Sequence, residues 1–151
     1  MPTVRKEITV AAAPEAVFAI AQDVERFPEV MHDLKKVEVL ERDGGRTITR
    51  WTSIAEVGPL TKEIAWEEED IWDATALTCT FKMTKGDMKA YAGVWTFTRD
   101  GAVTNVVLDI DYEIEIPLLG ALVHKIIRQK MDENCDSLLA ALKRLAEQKE
   151  A

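Results

Sequence analysis

The sequence predicts an α+β fold, a curved seven-stranded antiparallel sheet wrapped around one long C-terminal helix, with two short helices between strands 1 and 2. Three observations predict it. Val106, Leu108, Ile110, Tyr112, Ile114 and Ile116 take every second position, the pattern of a strand with one wet and one buried face. Pro117 then ends the ladder, having no N–H to donate, and opens a run from Leu118 to Glu147 with one glycine, Gly120, and no further proline. In that run Val123, Ile127, Met131, Cys135, Leu138, Leu142 and Leu145 fall on one helical stripe, so the helix must lie against something apolar. Upstream, turn signals at short intervals divide the chain into strands joined as an antiparallel meander.

Val4–Val10 alternates apolar and polar residues and reads as the first strand, with Lys6 a misfit on its inner face. Pro14 sits where a first helical residue is tolerated without its N–H, and the helix runs to about Gln22. Asp23 can cap a second short helix, Glu25–Met31, which Pro28 must bend. Six strands follow: Leu34–Arg42, Thr47–Ile54, Thr61–Glu68, Ala76–Met83, Tyr91–Thr98 and Val103–Ile116. The turns between them are Asp43-Gly44-Gly45, Gly58-Pro59, Trp72-Asp73, Lys85-Gly86-Asp87 and Arg99-Asp100-Gly101.

Size and composition exclude several classes. A chain of 151 residues with no linker, repeat or low-complexity segment is expected to form one domain, 1–151, with a core that needs no staples. A net charge of −8 argues against nucleic acid and against anionic membranes as a docking surface. The longest stretch free of charge, Ile116–His124, is too short for stable membrane insertion, and no secretory signal precedes the first strand, so a cytoplasmic location is expected. Cys79 and Cys135 are then reduced, buried thiols. His32 and His124 have no ligand partners at metal spacing, so neither a metal nor a cofactor is expected. Nucleotide-binding loops and nucleophile elbows are absent, and the paired carboxylates read as solvated strand faces.

One helix covers only part of so wide a sheet, so the concave face can hold a cavity. Trp66, Phe81, Met83, Tyr91, Trp95, Phe97 and Tyr112 from the strands, with Val123, Ile127 and Met131 from the helix, are its candidate lining. Each of these large residues taken singly is more often simple packing. Gly93 in mid-strand marks a bend or the close approach of another group. The strand Thr47–Ile54 has two readings. One register buries Ile48, Arg50, Thr52 and Ile54, making Arg50 a cation able to hold a carbonyl, carboxylate or enolate; the other buries Thr47, Thr49, Trp51 and Ser53 and leaves Arg50 in solvent. Asn134, Tyr91 and Tyr112 carry the remaining inward polar groups, each more often satisfied within a core. Leu118, Leu122 and Ile126 make the start of the long helix apolar on too many sides, which marks it as a mobile portal or as the contact of a homodimer.

The element order resembles the helix-grip fold of the START-like superfamily, in particular its polyketide cyclase/dehydrase and coenzyme Q-binding branches. The residues that carry the resemblance are Ala13-Pro14-Glu15-Ala16-Val17-Phe18, Asp23 to Val30, Gly93-Val94-Trp95-Thr96-Phe97, and the passage from Ile116-Pro117 into the last helix. It implies a hydrophobic ligand, such as a lipid, quinone or polyketide, bound or transported in a cavity between sheet and helix. It also implies the alternative of a polyketide cyclase/dehydrase-type enzyme acting on an aromatic polyketide, with Arg50 matched to the arginine proposed to help orient the chain. A protein-interaction module using the apolar helix start is a third alternative.

Overall fold

A computed structural model describes residues 3–57, 59–86, 88–113 and 121–148, with side chains at all of these except 57, 60, 62, 121–124 and 127. The predicted strand end at Ile116, Pro117 and Leu118 lie outside the described residues, as do the side chains of Leu122, Val123 and Ile127. The order of elements is β1 (Thr3–Val10), α1 (Pro14–Gln22), a 3₁₀ helix (Val24–Glu29), β2 (Leu34–Asp43), β3 (Arg46–Val57), β4 (Leu60–Asp73), β5 (Thr78–Gly86), β6 (Ala90–Asp100), β7 (Val103–Glu113) and α2 (Ala121–Gln148). The second short helix is tighter than predicted because Pro28 sits inside it and cannot donate an α-helical hydrogen bond.

All seven strands form one antiparallel sheet in the order β1-β7-β6-β5-β4-β3-β2. This is the helix-grip order. Strands β2 to β7 run as a meander, and only the connection from β1 to β2 crosses from one sheet edge to the other, carrying α1 and the 3₁₀ helix. Strand β4 runs on to Asp73, well past its predicted end at Glu68, because β3 pairs with it from Leu60 to Ile71 and β5 pairs with its last two residues.

Helix α2 lies on the concave face with Cys135, Leu138, Leu142 and Leu145 buried, the stripe expected, and Met131 half-buried. Polar ties fix its register against β1. Lys6 reaches Asp132 at 3.0 Å and Asp136 at 3.4 Å, which resolves the misfit in the first strand: the half-buried ammonium is paired by the helix. Lys143 donates to the Thr9 carbonyl at 2.8 Å, and Glu147 accepts from the Ala11 N–H at 3.0 Å. Phe18 of α1 packs edge-on against Trp72 and Phe97, closing the end of the core where α1 meets the sheet.

Candidate functional site

Between α2 and the sheet lies a cavity of about 30 Å³, room for one or two waters. Its wall on the sheet side is aromatic: Trp51 of β3, Trp66 of β4, Phe81 of β5, and Tyr91 and Trp95 of β6. Trp51 and Trp66 are direct cross-strand partners and stack with an interplanar angle of 4° and centroids 6.1 Å apart. Tyr91 meets Trp66 at 5.4 Å and Phe81 at 5.5 Å. Gly93 makes this arrangement possible. A methyl there would overlap both the Phe81 ring and the Asp109 carbonyl, so only glycine lets the ring lie against the strand. Leu138 and Asn134 close the cavity from the helix.

Strand register decides which polar groups enter. Thr47, Thr49 and Trp51 are buried, so β3 adopts the second of its two readings. Arg50 therefore points outward, where it donates to Glu67 at 3.0 Å and lies 3.8 Å from Glu38. Its guanidinium holds the Glu67 carboxyl below the usual range, an effect of the outer surface. The expectation of a cavity arginine at position 50 is thus corrected.

The charge that does face inward is acidic. Trp66, Glu68 and Asp70 occupy alternate positions of β4 and are all buried, with Glu68 at 5 % and Asp70 at 4 % exposure. Reading the acidic run as a wet strand face was therefore wrong for these two residues. The signal was present in the sequence: with Trp66 placed inward, period-2 alternation carries Glu68, Asp70 and Trp72 to the same face.

A hydrogen-bonded network keeps the two carboxyls there. The Trp66 indole N–H donates to Glu68 Oε1 at 2.8 Å. Asp70 Oδ2 accepts from the Thr49 hydroxyl at 2.8 Å and the Thr47 hydroxyl at 3.2 Å. Each threonine is in turn an acceptor, from Trp51 Nε1 at 2.9 Å and Trp72 Nε1 at 3.3 Å. Burial pushes the Glu68 carboxyl well above its ordinary range, and the bond to Asp70 and its charge push the same way. Burial also raises Asp70, while the donors Glu68, Thr49 and Thr47 pull it down. Burial thus favours the protonated form of Glu68 more strongly than that of Asp70, and the Glu68 carboxyl is the one placed to donate to its neighbour. A neutral carboxylic acid in an aromatic cavity wall is a hydrogen-bonding and proton-transferring group.

Of the remaining expected lining residues, Trp66, Phe81, Tyr91 and Trp95 meet at the cavity. Phe97 lies beyond Trp95, stacked on it at 6.2 Å. Tyr112 is buried beside Tyr91 across the β6–β7 ladder, and Met83 is half-buried at the core margin. Trp51, Ser53 and Glu68 line the cavity without having been singled out as ligand contacts. Both thiols are free and buried, and burial pushes Cys135 up to about 12, so neither is a nucleophile. Among the described residues no cluster of histidine, cysteine, aspartate or glutamate has the arrangement of a metal site, and no helix is long and apolar enough to cross a membrane.

Residues 1–147 match the model of the family described as "Polyketide cyclase / dehydrase and lipid transport". The chain belongs to this family. It is 32% identical over 143 residues to the actinorhodin polyketide synthase bifunctional cyclase/dehydratase of Streptomyces coelicolor, an alignment covering 92% of this chain and 42% of the relative. The chain spans less than half the length of the curated relatives it matches. Among solved structures, a protein of Thermus thermophilus superposes with a TM-score of 0.92 at 35% identity, covering 99% of this chain and 100% of the other. The Zhui aromatase/cyclase of Streptomyces sp. R1128 superposes with a TM-score of 0.87 at 19% identity over 99% of this chain and 96% of that one, a likeness of fold alone.

Proposed function

We propose that this protein binds a hydrophobic small molecule of the lipid, quinone or polyketide type between the sheet and α2. The observation that carries the reading is the cavity itself, walled by five aromatic side chains and closed by a single helix. Family membership supports it. A volume of about 30 Å³ admits water and not such a ligand, so binding requires the wall to open. Native mass spectrometry of the protein purified from its own host tests this. A co-purifying apolar compound is the expected result. Protein that emerges empty, and then takes up neither a long-chain lipid, a quinone nor an aromatic polyketide, overturns the proposal.

One observation favours a second reading, an enzyme of the polyketide cyclase/dehydrase type. The Glu68 carboxyl, whose protonated form burial favours, stands at the cavity wall, where a general acid for loss of a hydroxyl as water would be needed. Incubation with a poly-β-keto thioester, followed by mass spectrometry, separates the readings. Turnover shows as a product lighter by one water and depends on Glu68. Unchanged substrate leaves binding alone.

A further inference from the structure

Resting on the binding reading, we infer that Tyr91 and the Glu68–Asp70 pair form the polar end of the cavity and select a neutral ligand bearing a carbonyl oxygen over one ending in a carboxylate. Three features of the molecule carry this.

The first is a donor without an acceptor. Tyr91 lines the cavity and is nine-tenths buried, at 8 % exposure, yet its hydroxyl has no hydrogen-bond partner among the described residues. The hydroxyl is not a fully occluded orphan, so water can satisfy it in the cavity and a ligand acceptor can replace that water. Its ring is held by contact with Trp66 and Phe81, so the hydroxyl has a defined direction.

The second is the absence of a counter-cation. The described lining contains no lysine, arginine or histidine, and the arginine nearest in sequence, Arg50, is tied to Glu67 on the opposite face. A ligand carboxylate would be desolvated with nothing to neutralise it.

The third is the charge already present. Asp70 Oδ2 accepts from two threonine hydroxyls, a donor set that favours the carboxylate form and places negative charge directly behind the cavity wall. That charge repels a second anion through a low-dielectric interior, while a neutral carbonyl pays no such penalty and receives the Tyr91 hydrogen. Asp70 is a positioning residue: it acts on the ligand only through Glu68 and the field it sets up.

Isothermal titration at pH ~7 with acetonaphthone, ethylnaphthalene and naphthoate, all substituted at the same ring position, tests the inference on wild type, Tyr91→Phe and Asp70→Asn. Circular dichroism establishes that each variant is folded. Wild type is expected to bind the ketone about fivefold to tenfold tighter than the hydrocarbon, the size of one net hydrogen bond, and to bind naphthoate weakest. Tyr91→Phe should erase the preference for ketone over hydrocarbon while the hydrocarbon still binds, which a merely structural tyrosine would not do. Asp70→Asn should raise naphthoate affinity about tenfold while leaving the hydrocarbon unaffected.

A ketone preference that survives in Tyr91→Phe overturns the inference, and so does naphthoate binding as tightly as the ketone in wild type. Equal binding of all three probes overturns it and leaves the hydrophobic-ligand reading standing. No binding of any probe overturns the inference, while the hydrophobic-ligand reading falls only if lipid, quinone and polyketide are refused as well. Tyr91→Phe removes a single oxygen atom, so it decides the donor role even if Asp70→Asn fails to fold.

Discussion

Arg50 and Glu68 exchange the roles their residue types first imply, and the reason is a single parity. Each lies on a strand where one step along the chain moves a side chain to the other face, so the arginine joins an outer ion-pair lattice and the glutamate enters the core. Arg50→Ala should accordingly leave ligand affinity unchanged and lower stability by no more than about 1 kcal/mol, the range of exposed ion pairs, as measured by titration and urea unfolding. Glu68 predicts a pH effect with a definite sign. Its folded-state affinity for a proton is raised, as is that of Asp70, whereas an unfolded glutamate ionises at about pH 4.3. Above that pH the native state binds more protons than the unfolded chain, so the stability present in acid is lost as pH rises through the pair's native range. Glu68→Gln removes the part of this slope that Glu68 contributes. The melting temperature of the variant relative to wild type should grow from pH ~4 to pH ~8 by several degrees; a constant difference would contradict a buried, protonated Glu68. Glu67 and Glu147, whose carboxyls are held low by Arg50 and by the Ala11 N–H, give the opposite slope in both proteins and cancel in the comparison. Tyr91, Cys79 and Cys135 are all pushed upward and titrate above this window.

At the scale of elements, the aromatic wall depends on β6 presenting a glycine where the Phe81 ring passes. Gly93→Ala should destabilise by roughly 1–3 kcal/mol through overpacking, with the loss of near-ultraviolet dichroism from the surrounding rings as the accompanying sign. Helix α2 is anchored by its C-terminal half. Leu142 is fully buried, and Leu142→Ala should cost about 2–5 kcal/mol in denaturant unfolding. Strand β4 shows why periodicity was read correctly in some elements and misread in one. In β7 the alternate residues are apolar, so pattern and burial agree; in β4 two of them are acids, and their cross-strand partners, which make burial tolerable, come from β3 some twenty residues away. Likewise Lys6 looked out of place on β1 because its counter-charges, Asp132 and Asp136, are contributed by the far end of the chain.

Among the described residues, the molecule combines a sheet whose edge strands are β1 and β2 with one long helix whose buried side chains lie in its second half. From Cys135 to Ala146 the inward side chains of α2 are buried, whereas between Lys125 and Met131 the described side chains are exposed or half-buried. Opening a cavity of this size for a larger ligand therefore disturbs the first half of the helix at least expense in packing. Amide exchange is expected to be faster at 125–131 than at 138–146, and to slow in the first segment when a ligand binds. Uniform protection along the helix would count against entry from that end. The element order, the strand-and-helix periods and the aromatic side of the cavity follow from local pattern, because alternation, proline stops and glycine turns act over a few residues. That much the amino-acid sequence determines by itself, together with the family likeness its motifs carry. Which face of β3 is inside, that a buried glutamate side chain rather than an arginine reaches the cavity, and how little space the wall leaves were decided only by tertiary structure. Each depends on partners distant in sequence: the indoles and threonines that satisfy buried carboxyls, and the helix whose packing sets the volume.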